Sequence, residues 1–388
     1  MRCLELFSGA GGLAKGLEQA GFEHTQLIEF DKHACTSLRA NFDPKLIFCG
    51  DIRDYDFHKI SEIDLVAGGP PCQPFSMAGK HLAHNDTRDM FPFAARAVSI
   101  HQPKAFLFEN VKGLLRPSFS DYFSYVILRL TYPKITALDN EIWVHHFRRL
   151  KDIKWESYDD VKYVVKFQLL NAADYGVPQV RERVFIVGIR SDLDTSWEFP
   201  HPTHDATQLY IEQFVTHDYW KRHNVKQPKD QISDCPQYKR GKKLELPFSG
   251  SMLPWRTVRD AISDTPHPSQ QHGIPDHVFR DGARSYPGHT GSYIDLPAKT
   301  LKAGGHGVPG GENMIRYEDG SVRYFTVYEG KLLQTFSKEF SILGAWGEGM
   351  RQIGNAVPTL LANKIGEQLQ RLLRISSRSD VDQLRDAA

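Results

Sequence analysis

The chain opens on an apolar run, residues 2–7 (RCLELF), followed at once by glycines at 9, 11 and 12. Residues from Leu13 to Ala20 then carry apolar side chains at helical spacing, which predicts a helix that stops at Gly21. Further strand-like runs follow at 25–30 (TQLIEF), 45–49, 64–69 (DLVAGG) and 104–110 (KAFLFEN), with a helix-forming stretch at 32–40. Strand, turn and helix alternate, which predicts an α/β fold with a parallel sheet covered by helices on both faces. VKFQLL (165–170) and ERVFIVGI (182–189) read as later strands of that sheet, close enough in sequence to form a hairpin.

After residue 190 the rhythm breaks. Residues 196–310 are rich in proline, glycine, histidine and aromatics, and predict irregular β structure with long loops. Helical patterning returns at 326–336 and 357–374, and the polar tail 375–388 reads as a frayed end. Residues 133–163 form an aromatic- and charge-rich excursion, read as a solvated decoration with an inserted helix.

Composition narrows the class. Hydrophobic residues make up 40% and charged residues 24% of 388, which excludes a collagen-like or wholly disordered chain. No run of 18 apolar residues exists to span a bilayer, and the N-terminus lacks the pattern of an export signal, so a cytoplasmic protein is expected. Cys3, Cys35, Cys49, Cys72 and Cys235 lie far apart without CxxC spacing, so neither a disulfide framework nor a metal site is expected. The net charge of +1 leaves room for a local basic patch balanced by acid elsewhere.

Glycines between a strand and a helix let a ligand approach the backbone, where the first turn of the helix offers unpaired N–H groups. Glu29 ends the next strand, 20 residues after Gly9, where a carboxylate can accept from ribose hydroxyls. Asp51 ends the third strand, placed for an adenine amino group. At this level a nicotinamide dinucleotide fits as well, since Gly9, Gly11 and Ala14 satisfy the G-x-G-x-x-G/A spacing.

GGPPCQPFSMAGK (68–80) puts Cys72 on a proline-rich turn after a buried strand. Prolines on both sides would be wasted on a filler cysteine, whereas a fixed thiolate facing a cleft is a strong nucleophile. FENV (108–111) brings Glu109 to the end of another strand, where an apolar pocket would let a carboxyl donate a proton. In QVRER (179–183), Gln179, Arg181 and Arg183 alternate and share one face if extended.

Together these segments resemble the C5-cytosine DNA methyltransferase family. FSGAGGL is similar to its cofactor loop and PPCQPFS to its nucleophile motif; ENV, QxRxR, LNAADYGVPQ (170–179) and GNAVP (354–358) follow in order. The resemblance covers about 1–130, 165–190 and 323–375. It implies a Rossmann-like sheet that binds S-adenosylmethionine, in a catalytic domain of 1–190 with 345–388, and a smaller β-rich target-recognition domain with hinge at 191–344. It also implies methyl transfer to C5 of a flipped-out cytosine in duplex DNA by a monomer, with a cognate restriction endonuclease as functional partner only. The nearest alternative is a tRNA cytosine methyltransferase of the same fold.

By the same resemblance the catalytic residues are Cys72, Glu109 and Arg183, with Arg181 bracing the site. Cofactor contacts fall on Phe7, Gly9, Gly11, Gly12, Leu13, Glu29, Phe30, Asp51, Ile52, Pro70, Asn355 and Ala356. The family's helix toward the end of the chain departs here to YEGKLLQTFSKEF (328–340), with Tyr328 for an arginine and Ser337 for a proline, while Arg323, Glu329 and Gln334 remain. DNA contacts are expected from Ser76, Gln179, Lys302, His306 and a basic cluster. That cluster, residues 219–259, holds ten Lys/Arg and three acidic residues, with Lys239, Arg240, Lys242 and Lys243 at its centre and Tyr219, Trp220, Tyr238 and Trp255 interleaved.

Overall fold

The computed structural model describes residues 1–71, 89–193, 195–227, 252–303 and 313–386, with side chains through 375. They pack as two units. One comprises Met1–Leu170, Glu182–Pro200 and Asn363–Ala388, the other Asn171–Arg181 and His201–Ala362.

The first unit is built on a seven-stranded sheet in the order β3-β2-β1-β4-β5-β7-β6. Its strands are β1 (Arg2–Leu6), β2 (Glu23–Glu29), β3 (Ile47–Cys49), β4 (Leu65–Gly68), β5 (Ala105–Val111), β6 (Tyr163–Asn171) and β7 (Glu182–Arg190). β1 to β5 run parallel. β7 pairs antiparallel with β5, so the sheet is mixed rather than parallel throughout. β6 and β7, adjacent in sequence, are neighbours at one edge.

Alternation along each strand explains the two covered faces. Leu4, Leu6, Val66, Phe106, Phe108, Val184 and Ile186 point into one core. They meet Phe91 and Val98 of α3 (Phe91–His101), Tyr122 and Val126 of α4 (Ser120–Thr131), and Phe147 and Leu150 of α5 (Trp143–Lys151). The intervening residues Cys3, Leu65, Ala67, Ala105 and Leu107 are equally buried on the other face. α1 (Gly12–Gln19) buries Leu13, Ala14 and Leu17. The C-terminal helix (Thr359–Asp386) approaches α1 closely enough that a Cβ at Gly366 would lie 2.8 Å from Ala20 Cβ. That helix runs on to Asp386, past the point where the sequence predicts fraying.

The excursion at 133–163 is not a solvated decoration. α5 has a clear apolar stripe, and His146, Phe147 and Leu150 on it are buried against α4. His146 pins it: Tyr125 Oη and His146 Nδ1 are 2.9 Å apart, and His146 Nε2 and Ile135 O 3.0 Å apart.

The second unit has more helix than its composition suggested. Short helices span Ala206–Phe214, Asp218–His223 and Val258–Ile262. Asp205 caps the first through Thr207 N–H, and Thr257 with Asp260 forms a capping box on the third. Such short helices hold by caps and packing rather than by propensity, so their periodicity is faint in sequence. The core around them includes Leu209, Tyr219, Trp220 and Leu296.

Two histidines, one buried and one partly buried, predict the pH response of the first unit. Burial lowers the pKa of His146 to about 4, with Arg129 and Arg149 adding to the effect. His101, whose Nε2 is buried without a partner, is lowered to about 4 by burial. Both are neutral in the folded chain, while the unfolded chain takes up protons below its ordinary value of about 6.5. Their contribution is therefore whole above pH 6.5 and is lost as pH falls toward 4. Denaturant titrations at pH 7 and pH 5 should show a loss of about 2 kcal/mol from His146 alone. The Gln variant of His146 should show a correspondingly smaller difference between the two pH values.

Candidate active site

The strand order fixes where a site can form. From β1 the chain winds outward through β2 to β3, then returns to start β4 on the other side of β1 and continues to β5. The loops leaving β1 and β4 part there in opposite directions and leave a crevice at the carboxyl ends of the strands. The sequence places its chemistry on those ends: Phe7 to Gly12 after β1, Glu29 and Phe30 at β2, Asp51 and Ile52 after β3, Pro70 after β4, and Glu109 near the end of β5.

The loop after β1 is held open by its backbone. Phe7 adopts φ 56°, rare for a side chain of its size, and Gly9 and Gly11 adopt φ 54° and 88°. At Gly11 the conformation and the space both require glycine, because a Cβ there would come within 2.9 Å of Leu38 and Phe42. Glu29 fastens this loop from the neighbouring strand: Gly9 N–H donates to its Oε2 and Asp31 N–H to its Oε1, each at 2.7 Å. Burial raises the Glu29 pKa and these two amides oppose that rise. Phe30 beside it is 71% exposed, an unusually bare aromatic face. Asp51 accepts from Arg53 Nε at 2.9 Å and from Arg53 N–H, and Ile52 next to it is buried.

One residue at this site was not singled out in the sequence. Glu5 lies in the middle of β1, fully buried, with neither carboxyl oxygen hydrogen-bonded to a side chain or backbone group at normal geometry. Burial drives its pKa well up. In RCLEL it reads as one polar residue in an apolar run, and its only signal is that a carboxylate is costly in the middle of a buried strand.

At the other lip, Glu109 meets a cation rather than the apolar pocket expected for it. Arg183 Nε lies 2.8 Å from Glu109 Oε1, and the two side chains are only 14% and 10% exposed. The pairing register explains the meeting: Val111 opposes Arg183 and Glu109 opposes Phe185, so the two charged side chains are diagonal neighbours on one face. Asn110 Nδ2 donates to Pro70 O at 2.9 Å, which ties the end of β5 to the turn leaving β4. A Cβ at Gly69 would sit 3.4 Å from Glu109 Oε2, so that carboxylate lies against the same turn. Cys72 and Ser76, next along the chain, lie outside the described residues.

Arg181 and Arg183 fall in different units. Arg181 belongs to the second unit, is almost fully buried, and donates from Nη1 to Leu301 O at 3.2 Å and from Nη2 to Gly354 O at 2.9 Å. These bonds tie it to the segment around Leu301 and to the end of the helix Trp346–Asn355. Gln179, expected at DNA, is instead fully buried, with its Oε1 accepting from Leu301 N–H at 3.0 Å. Its spacing in QVRER reflects this inward contact. Gly354 of GNAVP must be glycine, because a Cβ would come within 2.4 Å of Ala303 N. Asn355 is exposed at the end of its helix and Ala356 is buried.

Lys302 is exposed, and its backbone is held by Asn313 through N–H to Oδ1 and O to Nδ2, both 3.2 Å. His306, Lys239, Arg240, Lys242, Lys243 and Tyr238 lie outside the described residues. Tyr219 and Trp220, read as interleaved among the basic residues, are core residues. Part of the basic cluster is spent within the unit: Arg222 pairs with Glu212 and Asp260, and Arg259 with Asp295 and Glu318. Arg323 and Glu329 form a buried ion pair at 2.6 Å.

Comparison with known proteins gives a consistent result. The family model described as C-5 cytosine-specific DNA methylase matches residues 1–133 and 124–371. The Type II methyltransferase M.PspPI of Psychrobacter sp. is 32% identical over 97% of this chain and 80% of its own length. The Type II methyltransferase M.Eco47II of Escherichia coli is 32% identical over 95% of this chain and 79% of its own. The structure of the Entamoeba histolytica methyltransferase EhMeth, 13% identical, aligns with a TM-score of 0.55 over 96% of this chain and 98% of its own, a likeness of fold.

The bracing role of Arg181 is testable apart from chemistry. Arg181→Met would leave the carbonyls of Leu301 and Gly354 without their buried donor, at a cost of about 1–3 kcal/mol each. Thermal or denaturant unfolding should register that loss.

Proposed function

The chain belongs to the C-5 cytosine-specific DNA methylase family, and from that premise we propose that it transfers a methyl group from S-adenosylmethionine to C5 of a cytosine flipped out of duplex DNA. The relatives matched over most of their length are Type II methyltransferases, which supports a role in protecting DNA from a cognate restriction endonuclease over the tRNA alternative. The observation that carries the reading is the partly buried Glu109–Arg183 pair at the rim of the sheet, against the turn that leads to Cys72.

The residues at the glycine loop suit S-adenosylmethionine. Gly9, Gly11, Gly12 and Leu13 form the opening and first turn of α1, and Phe7, in a positive-φ conformation just before them, would be a further contact. Phe30 offers an exposed ring to adenine, and Ile52 a buried apolar neighbour. The Glu29 carboxylate is placed for ribose hydroxyls. Asp51 would take the adenine amino group by exchanging its bond to Arg53. Pro70, Asn355 and Ala356 complete the proposed contacts. When bound, S-adenosylmethionine supplies an electrophilic methyl group on a sulfonium.

Cytosine C5 is a weak nucleophile, and the protein's task is to strengthen it. The Cys72 thiolate adds to C6, which makes C5 enamine-like. Glu109 holds N3 and stabilises the charge that develops there during addition. Arg183, already fixed by Glu109, directs its remaining N–H groups to O2 of the base. C5 takes the methyl group, a base removes the C5 proton, and the thiolate departs by elimination. None of this is possible inside the base stack, so the cytosine must be extruded at a cost of a few kcal/mol.

Work on the DNA falls to the recognition domain, 191–344 with its hinge. Lys302 and His306 lie in or beside the glycine-rich stretch that would read base edges, with Ser76 on the catalytic side, and Lys239, Arg240, Lys242 and Lys243 would hold phosphates. We take the enzyme to act as a monomer in the cytoplasm, with the endonuclease as functional partner only. Among the described residues no helix is long and apolar enough to cross a membrane.

Radiolabelled methyl transfer to duplex DNA, with tRNA as the competing substrate, tests the reading: label should enter DNA and not tRNA. Within the site, Glu109→Gln keeps the shape but loses the carboxylate and its proton. S-adenosylmethionine should bind nearly as before, while the methylation rate falls by about 10²–10⁴-fold. An equal loss of cofactor affinity would move Glu109 into the cofactor pocket instead.

A further inference from the structure

Two thiols that the reaction does not use lie at the rim of the proposed cofactor cradle. Cys35, in α2 (Lys32–Asn41), is fully buried, and Cys49, the last residue of β3, is partly exposed. Both flank the end of β2. Cys35 Sγ donates to Glu29 O at 3.4 Å, and Gly50 N–H, next to Cys49, donates to the same oxygen at 2.9 Å. Glu29 and Cys49 are direct partners in the β2–β3 register, so both cysteines lie beside Glu29. Burial and the neighbouring thiol hold Cys35 far above the usual thiol range, so it is not the first group to react. Cys49 is the one that a small solute can reach.

From this geometry we infer that Cys35 and Cys49 form an oxidation site, in which a peroxide-class oxidant closes a disulfide across the ends of β2 and β3. The peroxide transfers one oxygen to Cys49, leaving a sulfenic acid, and is itself reduced to water or an alcohol. The Cys35 sulfur then attacks the Cys49 sulfur. The hydroxyl leaves with the Cys35 proton as water, and the Cys35–Cys49 bond forms. In all, the two thiols give up two electrons to one peroxide.

The consequence rests on the cofactor reading above. Closing the disulfide removes the thiol hydrogen that Cys35 gives to Glu29 O, and draws the end of β3 toward α2. Gly50, Asp51 and Ile52 follow Cys49 in the chain, while Glu29 and Phe30 stay with β2. The two sides of the proposed adenosine site therefore shift relative to each other, and cofactor affinity falls. Reduction by a dithiol restores it.

The test uses the full chain carrying Cys72→Ser, so that the catalytic thiol takes no part. The protein is treated with hydrogen peroxide, digested without reductant, and mapped by mass spectrometry. S-adenosylmethionine binding is measured by calorimetry before oxidation, after oxidation, and after dithiothreitol. A peptide pair joined through Cys35 and Cys49 is expected, with affinity lowered by at least about tenfold and regained on reduction. Cys49→Ser and Cys49→Ala, at a partly exposed position, should bind the cofactor and lose the response to peroxide. Oxidation of other cysteines with no Cys35–Cys49 link would overturn the site, and a link formed with unchanged affinity would overturn its effect. A reduced protein that fails to bind S-adenosylmethionine would overturn the cofactor reading rather than the disulfide, which the mapping judges independently.

Discussion

The change of winding direction between β1 and β4 is the constraint on which everything else in the first unit depends. Parallel strands send their carboxyl ends to one edge, and the reversal there leaves a gap between diverging loops. Every group at the site then follows from the position of its strand. Glu29 can staple Gly9 only because β2 lies beside β1, and Asn110 can reach Pro70 only because β5 lies beside β4. The antiparallel β7 adds what a parallel strand could not. Entering the sheet from the far direction, it begins at the edge where β5 ends and brings Arg183 diagonally across from Glu109.

Much of this was legible in the sequence because strands at a sheet's centre have little freedom. RCLELF, DLVAGG and KAFLFEN are continuous apolar runs bounded by glycine or polar residues, and they fall within a residue or two of β1, β4 and β5. What was illegible shares a different cause. The short helices Ala206–Phe214 and Val258–Ile262 are held by Asp205, by Thr257 with Asp260, and by aromatic packing, which leave no repeating pattern. α5 was misread for a related reason: Trp143, Phe147 and Leu150 form a true apolar stripe, but Arg148, Arg149 and Lys151 between them make the segment look like surface.

The candidate site separates in the same way. Residue type and order pointed to Glu109, Arg183 and Glu29, because carboxylates and arginines at strand ends are expensive without a purpose. Their partners were harder to foresee. Glu109 faces Arg183 and not an apolar pocket, and Arg181 and Gln179 turn inward to brace the segment around Leu301. A two-residue alternation shows which side chains share a face, not what that face meets. Glu5 is the sharpest case: one letter in an apolar strand, yet a fully buried carboxyl whose pKa burial drives well up.

The central claim is that a cysteine on the turn after β4 bonds covalently to cytosine C6 while methyl transfer takes place. Fluorine at C5 cannot leave as a cation, so the cycle should stall after methyl transfer with the thiol still attached. Incubation with S-adenosylmethionine and duplex DNA containing 5-fluorocytosine in place of cytosine should therefore yield a denaturant-resistant protein–DNA adduct, mapped to Cys72 and absent from Cys72→Ala. An adduct that survives in Cys72→Ala, or a crosslink mapped to another cysteine, would contradict the account.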